Sequence, residues 1–286
     1  MASLKEVKRR IASVKSTRKI TQARQMVSSA QLHRSQNILE KAVVFKQAVD
    51  SILCGLAASE RDLSSPFLQK QEPGIVGIVI MASNSGMCGS FNAKMEKELL
   101  HLNSLYPDQK LLFFPVGKKI REAVLLHGFE IAGDFDHLAG KASFDESRSF
   151  SQQLMDMFRI REISRVEVIY YHFKTTSTQL ITYKTLLPYS LPSEEEKDIT
   201  YETDDYILEP SQKELTETLI EMCIHSDFYA ALMDNQASEH ASRTIAMQIA
   251  SENADEILDE LQTTFNKLRQ NNITNDLLDI NSSSFA

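Results

Sequence analysis

Apolar residues recur at steps of three and four along both ends of the chain, which is the spacing of one face of a long helix. Toward the C-terminus the series starts at Leu215 and, after one extra step of four at Ala237, continues to Leu268. Toward the N-terminus it runs from Leu4 to Val14. After a phase slip it resumes at Ile20, Ala23, Val27 and Ala30. The pattern predicts two long helices with a coiled-coil seam.

Turn-forming residues are confined to the middle of the chain. All nine glycines and all seven prolines lie between Gly55 and Pro210, so both ends lack helix breakers. Each end also opens with a capping box, in which a serine precedes a glutamate by three residues: Ser3 and Glu6, Ser211 and Glu214. The chain is therefore predicted to consist of an N-terminal arm (1–58), a middle domain (59–210) and a C-terminal arm (211–286).

The two arms carry opposite charge. Residues 1–50 hold eleven Lys or Arg and three Asp or Glu, a net of +8, whereas residues 211–286 hold four and thirteen, a net of −9. Long amphipathic helices need a partner, and opposite charge favours pairing of the two arms as an antiparallel coiled coil. A dimer of two chains is the alternative. The seam is rich in Ala, Ser, Thr and His, which indicates a rod that also presents surface to a surrounding partner.

The middle domain alternates between strand-like and helix-like segments. Strands are predicted at 74–82, 110–117, 165–173 and 179–188, with a further short strand in FEIAGDF, and helices at 91–105, 118–128 and 143–162. This alternation is typical of an α/β sheet with doubly wound character. An acidic, solvated loop is predicted at 193–205.

Composition narrows the class of protein. The 286 residues carry a net charge of −8, which argues against general nucleic-acid binding. No apolar run approaches the roughly 20 residues needed to span a bilayer, and the basic N-terminus lacks the apolar stretch of a secretory signal. The cysteines, Cys54, Cys88 and Cys223, form no C-x-x-C pair and are predicted to be reduced and buried.

The stretch SNSGMCGSFN (83–92), between a predicted strand and a predicted helix, lies where phosphate-binding loops occur. A P-loop requires a lysine directly after its second glycine, but Gly89 is followed by Ser90 and Phe91. Cys88 as a nucleophile would need a histidine partner, and the sequence cannot place His101, His127 or His172 beside it. Asp134, Asp136 and His137 could ligate a metal, although a polar loop explains them as well. We therefore expect a non-catalytic chain without a cofactor.

Three motifs in order resemble the gamma-subunit family of F-type, rotary ATP synthases, of the bacterial type. The segment IASVKSTRKITQARQMVSSAQL (11–32) is similar to that family's I-x-S-V-x-x-T-x-K-I-T-x-A-x-x-M-V. SNSGMCGSFN is similar to S-D-R-G-L-C-G-x-x-N, and NKLRQNNITNDLLDI (266–280) to N-x-x-R-Q-x-x-I-T-x-E-L-x-E-I. The resemblance covers essentially the whole chain.

The resemblance implies a long two-helix coiled coil with a central Rossmann-like α/β domain at its foot. It implies a non-catalytic central-stalk rotor that couples proton flow through a membrane ring to ATP synthesis or hydrolysis. The implied partners are the alpha and beta subunits of the catalytic hexamer, the epsilon subunit and the ring of c subunits. A peripheral position on the cytoplasmic face of the bacterial inner membrane is expected.

The resemblance also implies roles for individual residues. Contacts with the alpha and beta subunits are expected from Arg269, Gln270, Thr274, Lys19, Thr21 and Met26. The loop that marks the family in the central domain is expected to include Ser83, Gly86, Cys88, Gly89 and Asn92. This chain departs from the family at Asn84 and Ser85, where Asp-Arg is usual, and at Asp276 and the tail NSSSFA. A charged contact with a beta subunit is therefore expected to be lost at the loop.

Two other functions stay open at this point. The chain could be a stand-alone α/β enzyme that uses Cys88 or Ser90, in which case the isolated chain would turn over a substrate. It could also be a coiled-coil scaffold for an unrelated partner, indifferent to alpha and beta subunits.

Overall fold

The computed structural model describes residues 3–59, 65–107, 109–141, 143–191, 209 and 211–284. It contains two compact units. We call one the helix pair (Met1–Ser29 with Arg243–Ala286) and the other the body (Ala30–Ser242).

The described residues form six helices and four strands: α1 (Leu4–Ser59), β1 (Val76–Met81), α2 (Phe91–Leu105), β2 (Leu111–Val116), α3 (Lys118–Leu126), α4 (Leu138–Lys141), α5 (Phe144–Arg159), β3 (Arg165–Thr175), β4 (Thr178–Leu187) and α6 (Gln212–Ser284). All the predicted helices and the four main predicted strands are present. In FEIAGDF only one bridge forms, between Ile131 and Phe113. The four-residue α4 was not predicted, and the acidic loop 193–205 lies outside the described residues.

The four strands form one sheet in the order β2-β1-β3-β4. Strand β1 is parallel to β2 and β3, and β4 returns antiparallel to β3. Because β2 and β3 lie on opposite sides of β1, the sheet is doubly wound. The predicted α/β class, with long terminal helices, is confirmed.

The turn after β2 requires a glycine. Gly117 has φ 114°, and a Cβ there would lie 2.4 Å from the carbonyl oxygen of Ala82.

The two faces of the sheet bury separate clusters, as alternation along a strand requires. On one face, Ile78 and Ile80 of β1 join Phe91 and Leu99 of α2. The other face is covered by α5 and by parts of the two long helices. Side chains from that second cluster include Val79, Met81, Leu154, Phe158, Leu53, Ile220 and Ile224. Sections of both arms therefore belong to the core of the body, and the three-part division of the chain stays a prediction.

The helix pair is antiparallel. The hydroxyl groups of Thr21 and Ser251 lie 2.8 Å apart and are buried, and one helical turn earlier in α1 Arg18 forms a 2.8 Å ion pair with Asp255. Moving toward the N-terminus of α1 therefore corresponds to moving toward the C-terminus of α6, as in an antiparallel pair. The predicted pairing of basic and acidic arms is observed directly in the contact between Arg18 and Asp255.

The seam of α1 differs from the prediction. Its predicted members Ile20 and Val27 are 56% and 58% exposed, whereas the adjacent Thr21 and Ser28 are buried. Two further predicted members, Ala23 and Ala30, are exposed as well. The predicted phase slip is therefore wrong, because the heptad series continues unbroken as Val7, Val14, Thr21 and Ser28. The prediction followed apolar residues, but the seam here is formed by small polar side chains.

The arrangement of the helix pair can be tested with a disulfide. In the variant with Thr21→Cys and Ser251→Cys, oxidation is expected to produce an intramolecular disulfide, because these side chains already touch. Non-reducing electrophoresis with mass spectrometry detects it. The pair Lys19→Cys with Ser251→Cys is the control, since Lys19 is exposed. Crosslinks that form only between different chains would contradict the intramolecular pairing.

A buried histidine makes the stability of the body depend on pH. The Nδ1 atom of His225 on α6 lies 2.7 Å from the hydroxyl of Ser151 on α5. Burial, together with the nearby Arg148, lowers the pKa of His225 from 6.5 to about 4. The unfolded chain therefore binds a proton that the folded chain does not, and stability is lost as the pH falls from 6.5 toward 4.

Replacement of this histidine is therefore expected to flatten the acid side of the stability profile. In His225→Gln, the urea midpoint should fall less between pH 6.5 and pH 4 than in the parent chain, because one proton-linked group has been removed. The same measurement on His101→Gln, at an exposed position, provides the control. Parallel profiles for His225→Gln and the parent would contradict the assignment.

Candidate partner-contact surface and loop

The contact residues expected near the C-terminus are exposed on α6. Arg269, Gln270 and Thr274 are all solvent-accessible, and the hydroxyl of Thr274 donates to the carbonyl oxygen of Gln270 at 2.9 Å. Residues 270 and 274 lie one turn apart on the same face. This leaves a guanidinium and an amide directed to solvent, where they can hydrogen-bond to a partner's carboxylate or backbone groups.

The contact residues expected on α1 are divided between surface and seam. Lys19 is exposed and Met26 is 73% exposed. Thr21 is 8% exposed and bound to Ser251, so it belongs to the contact between the two helices. We therefore leave Thr21 out of the contact surface proposed below.

The helix pair carries an unusual distribution of apolar residues. Its seam includes small polar side chains such as Thr21, Ser28 and Ser251. Among the residues of the pair whose burial is described, the exposed large apolar ones are Ile20, Met26, Val27, Ile249, Ile257, Ile273, Leu277 and Leu278. Sequence reasoning missed Ile20 and Val27 as surface residues because it assigned them to the seam. Exposed large apolar side chains of this kind can be covered by a surrounding protein.

The loop after β1 turns its polar groups inward. Ser83 is fully buried, and its backbone N–H and its hydroxyl both donate to the side-chain oxygen of Asn92 at 3.2 and 2.9 Å. Asn92 in turn donates to the sulfur of Cys88 at 3.3 Å. Gly89 has φ 61°, a left-handed conformation that suits glycine, while Gly86 is exposed. The structure therefore brings Ser83, Cys88 and Asn92 into one hydrogen-bond network, with Gly89 in the turn beside it.

Asn84, at which the chain departs from the family motif, connects three segments of the body. Its side-chain oxygen accepts from the N–H of Lys118 at the start of α3, and its amide donates to the carbonyl oxygen of Asp136, both at 2.9 Å. Arg121 holds the carboxylate of Asp136 with two nitrogens, the shorter contact being 2.7 Å. Asn84 therefore holds three segments of the body together through hydrogen bonds. Its position in the motif did not indicate this role.

The geometry of the loop argues against both chemical hypotheses for it, namely a phosphate site and a catalytic cysteine. A phosphate site needs backbone N–H groups that point to a ligand, but the N–H of Ser83 is used internally and that of Lys118 is taken by Asn84. Cys88 is 1% exposed, and its contacts are with Ser83, Ser85 and Asn92. Cys88 is therefore packed inside the loop rather than presented to a substrate.

The carboxylates that could have ligated a metal have other partners. Asp136 is held by Arg121, and Asp134 accepts from the N–H of Asp136 at 3.0 Å. Within the described part of the chain, no three His, Cys, Asp or Glu side chains cluster so as to hold a metal ion.

The isolated chain is expected to bind ATP no better than background. The loop lacks the lysine that follows the second glycine of a P-loop, and the N–H groups of Ser83 and Lys118 are bonded within the chain, so they are not offered to a triphosphate. Isothermal calorimetry in the presence of Mg²⁺ measures this, with a P-loop protein as a positive control. One tight, magnesium-dependent site would contradict the interpretation of the loop.

Comparison with known proteins gives a consistent result over the whole chain. A family model described as ATP synthase matches residues 3–286. The ATP synthase gamma chain of Phocaeicola vulgatus is 42% identical over 289 residues, and the match covers 100% of both chains. The gamma chain of Bacteroides thetaiotaomicron is 43% identical over 293 residues, with 98% of both chains covered.

Solved structures share the fold. A chain from the rotational state 3 structure of the Euglena gracilis mitochondrial ATP synthase matches 99% of this chain with a TM-score of 0.62 and 18% identity, and 93% of that chain is covered. A chain from the central stalk and c-ring structure of the Tetrahymena thermophila mitochondrial enzyme gives a TM-score of 0.57 at 23% identity, with 81% of this chain and 99% of that chain covered.

Proposed function

The chain belongs to the gamma-chain family of ATP synthases, and on this premise we propose that it is the central-stalk rotor subunit of an F-type ATP synthase. The observation that carries the proposal is the 42% identity with a named gamma chain over the full length of both chains. In this role the chain couples proton flow through a membrane ring to ATP synthesis or hydrolysis on other subunits. It has no catalytic activity of its own.

We propose that the helix pair turns inside a hexamer of alpha and beta subunits. Its exposed apolar residues, with Lys19 on α1 and Arg269, Gln270 and Thr274 on α6, form the contact surface. A seam of small polar residues leaves the large apolar side chains outside, where a surrounding partner can cover them. The polar groups then make directional, breakable contacts as the subunit turns.

We propose that the body contacts an epsilon subunit and a ring of c subunits. We also propose that the loop residues Ser83, Gly86, Cys88, Gly89 and Asn92 have a structural role within the body. The matched structure from Tetrahymena thermophila contains a central stalk together with a c-ring. No helix in the described residues is long and apolar enough to cross a bilayer. We place the chain at the cytoplasmic face of the bacterial inner membrane as a peripheral subunit.

The proposal is tested by purifying the tagged chain from its own host at native expression and identifying its partners by mass spectrometry. Alpha, beta, epsilon and c subunits are expected in fixed ratio, and the complex should hydrolyse ATP. An unrelated tagged protein of similar charge is the control. A chain that purifies without alpha and beta subunits, or that turns over a substrate alone through Cys88 or Ser90, would instead support the scaffold or the enzyme hypothesis.

A further inference from the structure

Strand β3 is longer than its neighbour β1. The pairing of β1 with β3 runs from Val76 opposite Arg165 to Ile80 opposite Ile169. Strand β3 continues to Thr175, and along that extension β4 still pairs with it on the other side. The backbone groups of β3 that point toward β1 therefore lose their strand partner after Ile169.

Helix α6 supplies the missing partners. The side-chain oxygen of Asn235 accepts from the N–H of Tyr171 at 3.2 Å, and the hydroxyl of Ser238 donates to the carbonyl oxygen of Tyr171 at 3.1 Å. Two residues along, Asp234 accepts from the N–H of Phe173 at 2.7 Å. In a strand, the N–H and C=O of one residue point to the same side, so these bonds replace one edge of a ladder. We call this group of three bonds the splice.

The side chains of the splice are enclosed and oriented. Asp234, Asn235 and Ser238 are 6%, 1% and 0% exposed. The second carboxylate oxygen of Asp234 lies 2.7 Å from Nδ1 of His172, which fixes the orientation of the carboxylate. Buried polar groups with all these partners are rigid, because leaving any one of them unpaired is costly.

The splice lies at the point of the sheet where the winding reverses. Open, doubly wound sheets bind their ligands outside the carboxyl ends of the strands, at the point where the winding reverses. Here that point lies between β1 and β3, where α6 is bound to Tyr171. The ring of Tyr171 stacks on Phe91 with centroids 4.2 Å apart, and its hydroxyl donates to the carbonyl oxygen of Phe91 at the start of α2. The place of a bound ligand is therefore taken by a helix of the same chain.

We propose that the splice is the mechanical joint through which α6 and the sheet exchange torque, with Asp234, Asn235 and Ser238 as its positioning residues. The proposal rests on the proposed rotor function. Apolar packing is non-directional and tolerates sliding, whereas hydrogen bonds weaken steeply when they are misaligned. Three such bonds from one helix to one strand therefore resist twisting of α6 against the sheet more effectively than the surrounding apolar contacts do.

The first test examines the joint in the full chain. In Asn235→Ala, the amides of Tyr171 and Phe173 are expected to exchange with solvent about tenfold faster, because one bond of the edge is lost. Ser151→Ala is the matched control, since it removes one buried bond to α6 away from the sheet. Unchanged exchange in Asn235→Ala would overturn the splice itself.

The second test measures torsional stiffness in the assembled complex. With the alpha and beta subunits fixed to a surface and a bead attached to the body, the angular fluctuations of the bead report the compliance of the rotor. Asn235→Ala and Ser238→Ala are expected to widen these fluctuations, while Ser151→Ala stays at the parent width. Equal widths for Asn235→Ala and Ser151→Ala would overturn the joint. A parent chain that does not assemble at all would instead overturn the rotor function.

Discussion

Alanine at both Arg269 and Gln270 is expected to lower ATP hydrolysis and proton pumping by the assembled complex about tenfold or more, or to weaken assembly itself. The loss of one charge-assisted contact with its neighbouring amide bond is enough for a change of this size. The melting temperature of the isolated chain should be nearly unchanged, because both side chains are exposed on α6.

Both activities are measured in reconstituted vesicles, beside a thermal melt of the free subunit. The matched control is Lys267→Ala with Asn271→Ala, which removes one cation and one amide from neighbouring positions of the same helix, where both are exposed. Full coupled activity in the Arg269 and Gln270 variant, or an equal loss in the control, would show that these residues are not a specific contact.

Asp227→Ala is expected to be the most destabilising of the substitutions considered for the isolated chain, by roughly 3 kcal/mol in the free energy of unfolding. The carboxylate of Asp227, 4% exposed, lies 2.9 Å from the ammonium group of Lys184 on β4 and 3.3 Å from that of Lys46 on α1. It therefore joins α6, α1 and the sheet. Its removal takes this carboxylate away from the partly buried ammonium group of Lys184 and leaves that of Lys46 with Asp50.

The pKa of Lys46 reports the strength of this cluster. Burial alone would lower the pKa, but the carboxylates of Asp227 and Asp50 outweigh burial and raise it from 10.5 to about 12. The stabilisation is therefore fully present below pH 10.5 and is lost as the pH rises through 12. Across the neutral range the cluster is intact, so the cost of Asp227→Ala should not vary with pH there.

Urea unfolding of the full chain measures the effect. The control is Asp156→Ala, which breaks an exposed ion pair with Arg159 and should cost less than about 1 kcal/mol. A loss for Asp227→Ala no larger than that of the control would contradict a structural role for the buried cluster.

Regular patterns made most of the fold predictable. The absence of glycine and proline from both arms predicted α1 and α6, and their opposite charges predicted the pairing seen between Arg18 and Asp255. Alternating apolar segments predicted β1 to β4. At the two predicted capping boxes, the N–H of Glu6 donates to the hydroxyl of Ser3 and that of Glu214 to the hydroxyl of Ser211, both at 3.3 Å. These signals are local in sequence, so they need no knowledge of distant contacts.

What the sequence did not reveal depends on contacts between distant residues. The seam at Thr21 and Ser28 was missed because small polar residues carry no periodic apolar signal. Asn84 was interpreted as a lost charged contact, although its partners, Lys118 and Asp136, lie 34 and 52 residues away. The splice was missed for the same reason, since Asn235 meets Tyr171 across 64 residues. Its one signal was a run of polar residues, Asp234 to Gln236, directly after the largely apolar stretch from Phe228 to Met233.

The candidate contact surface was predictable only through family resemblance. Exposure of Arg269, Gln270 and Lys19 is consistent with contact, but an exposed polar residue alone identifies no partner. The structure adds one distinction that the motif could not make. Met26 is exposed, whereas Thr21 is buried.

The central claim is that this chain turns inside a catalytic hexamer, and single-molecule rotation tests it most directly. The alpha and beta subunits are fixed to a surface, and a bead is attached to the body of the chain through a cysteine placed at the exposed Lys94. On addition of ATP, we expect stepwise rotation in one direction that stops when ATP is removed. A bead that stays still, or that fluctuates without direction while the complex hydrolyses ATP, would contradict the account.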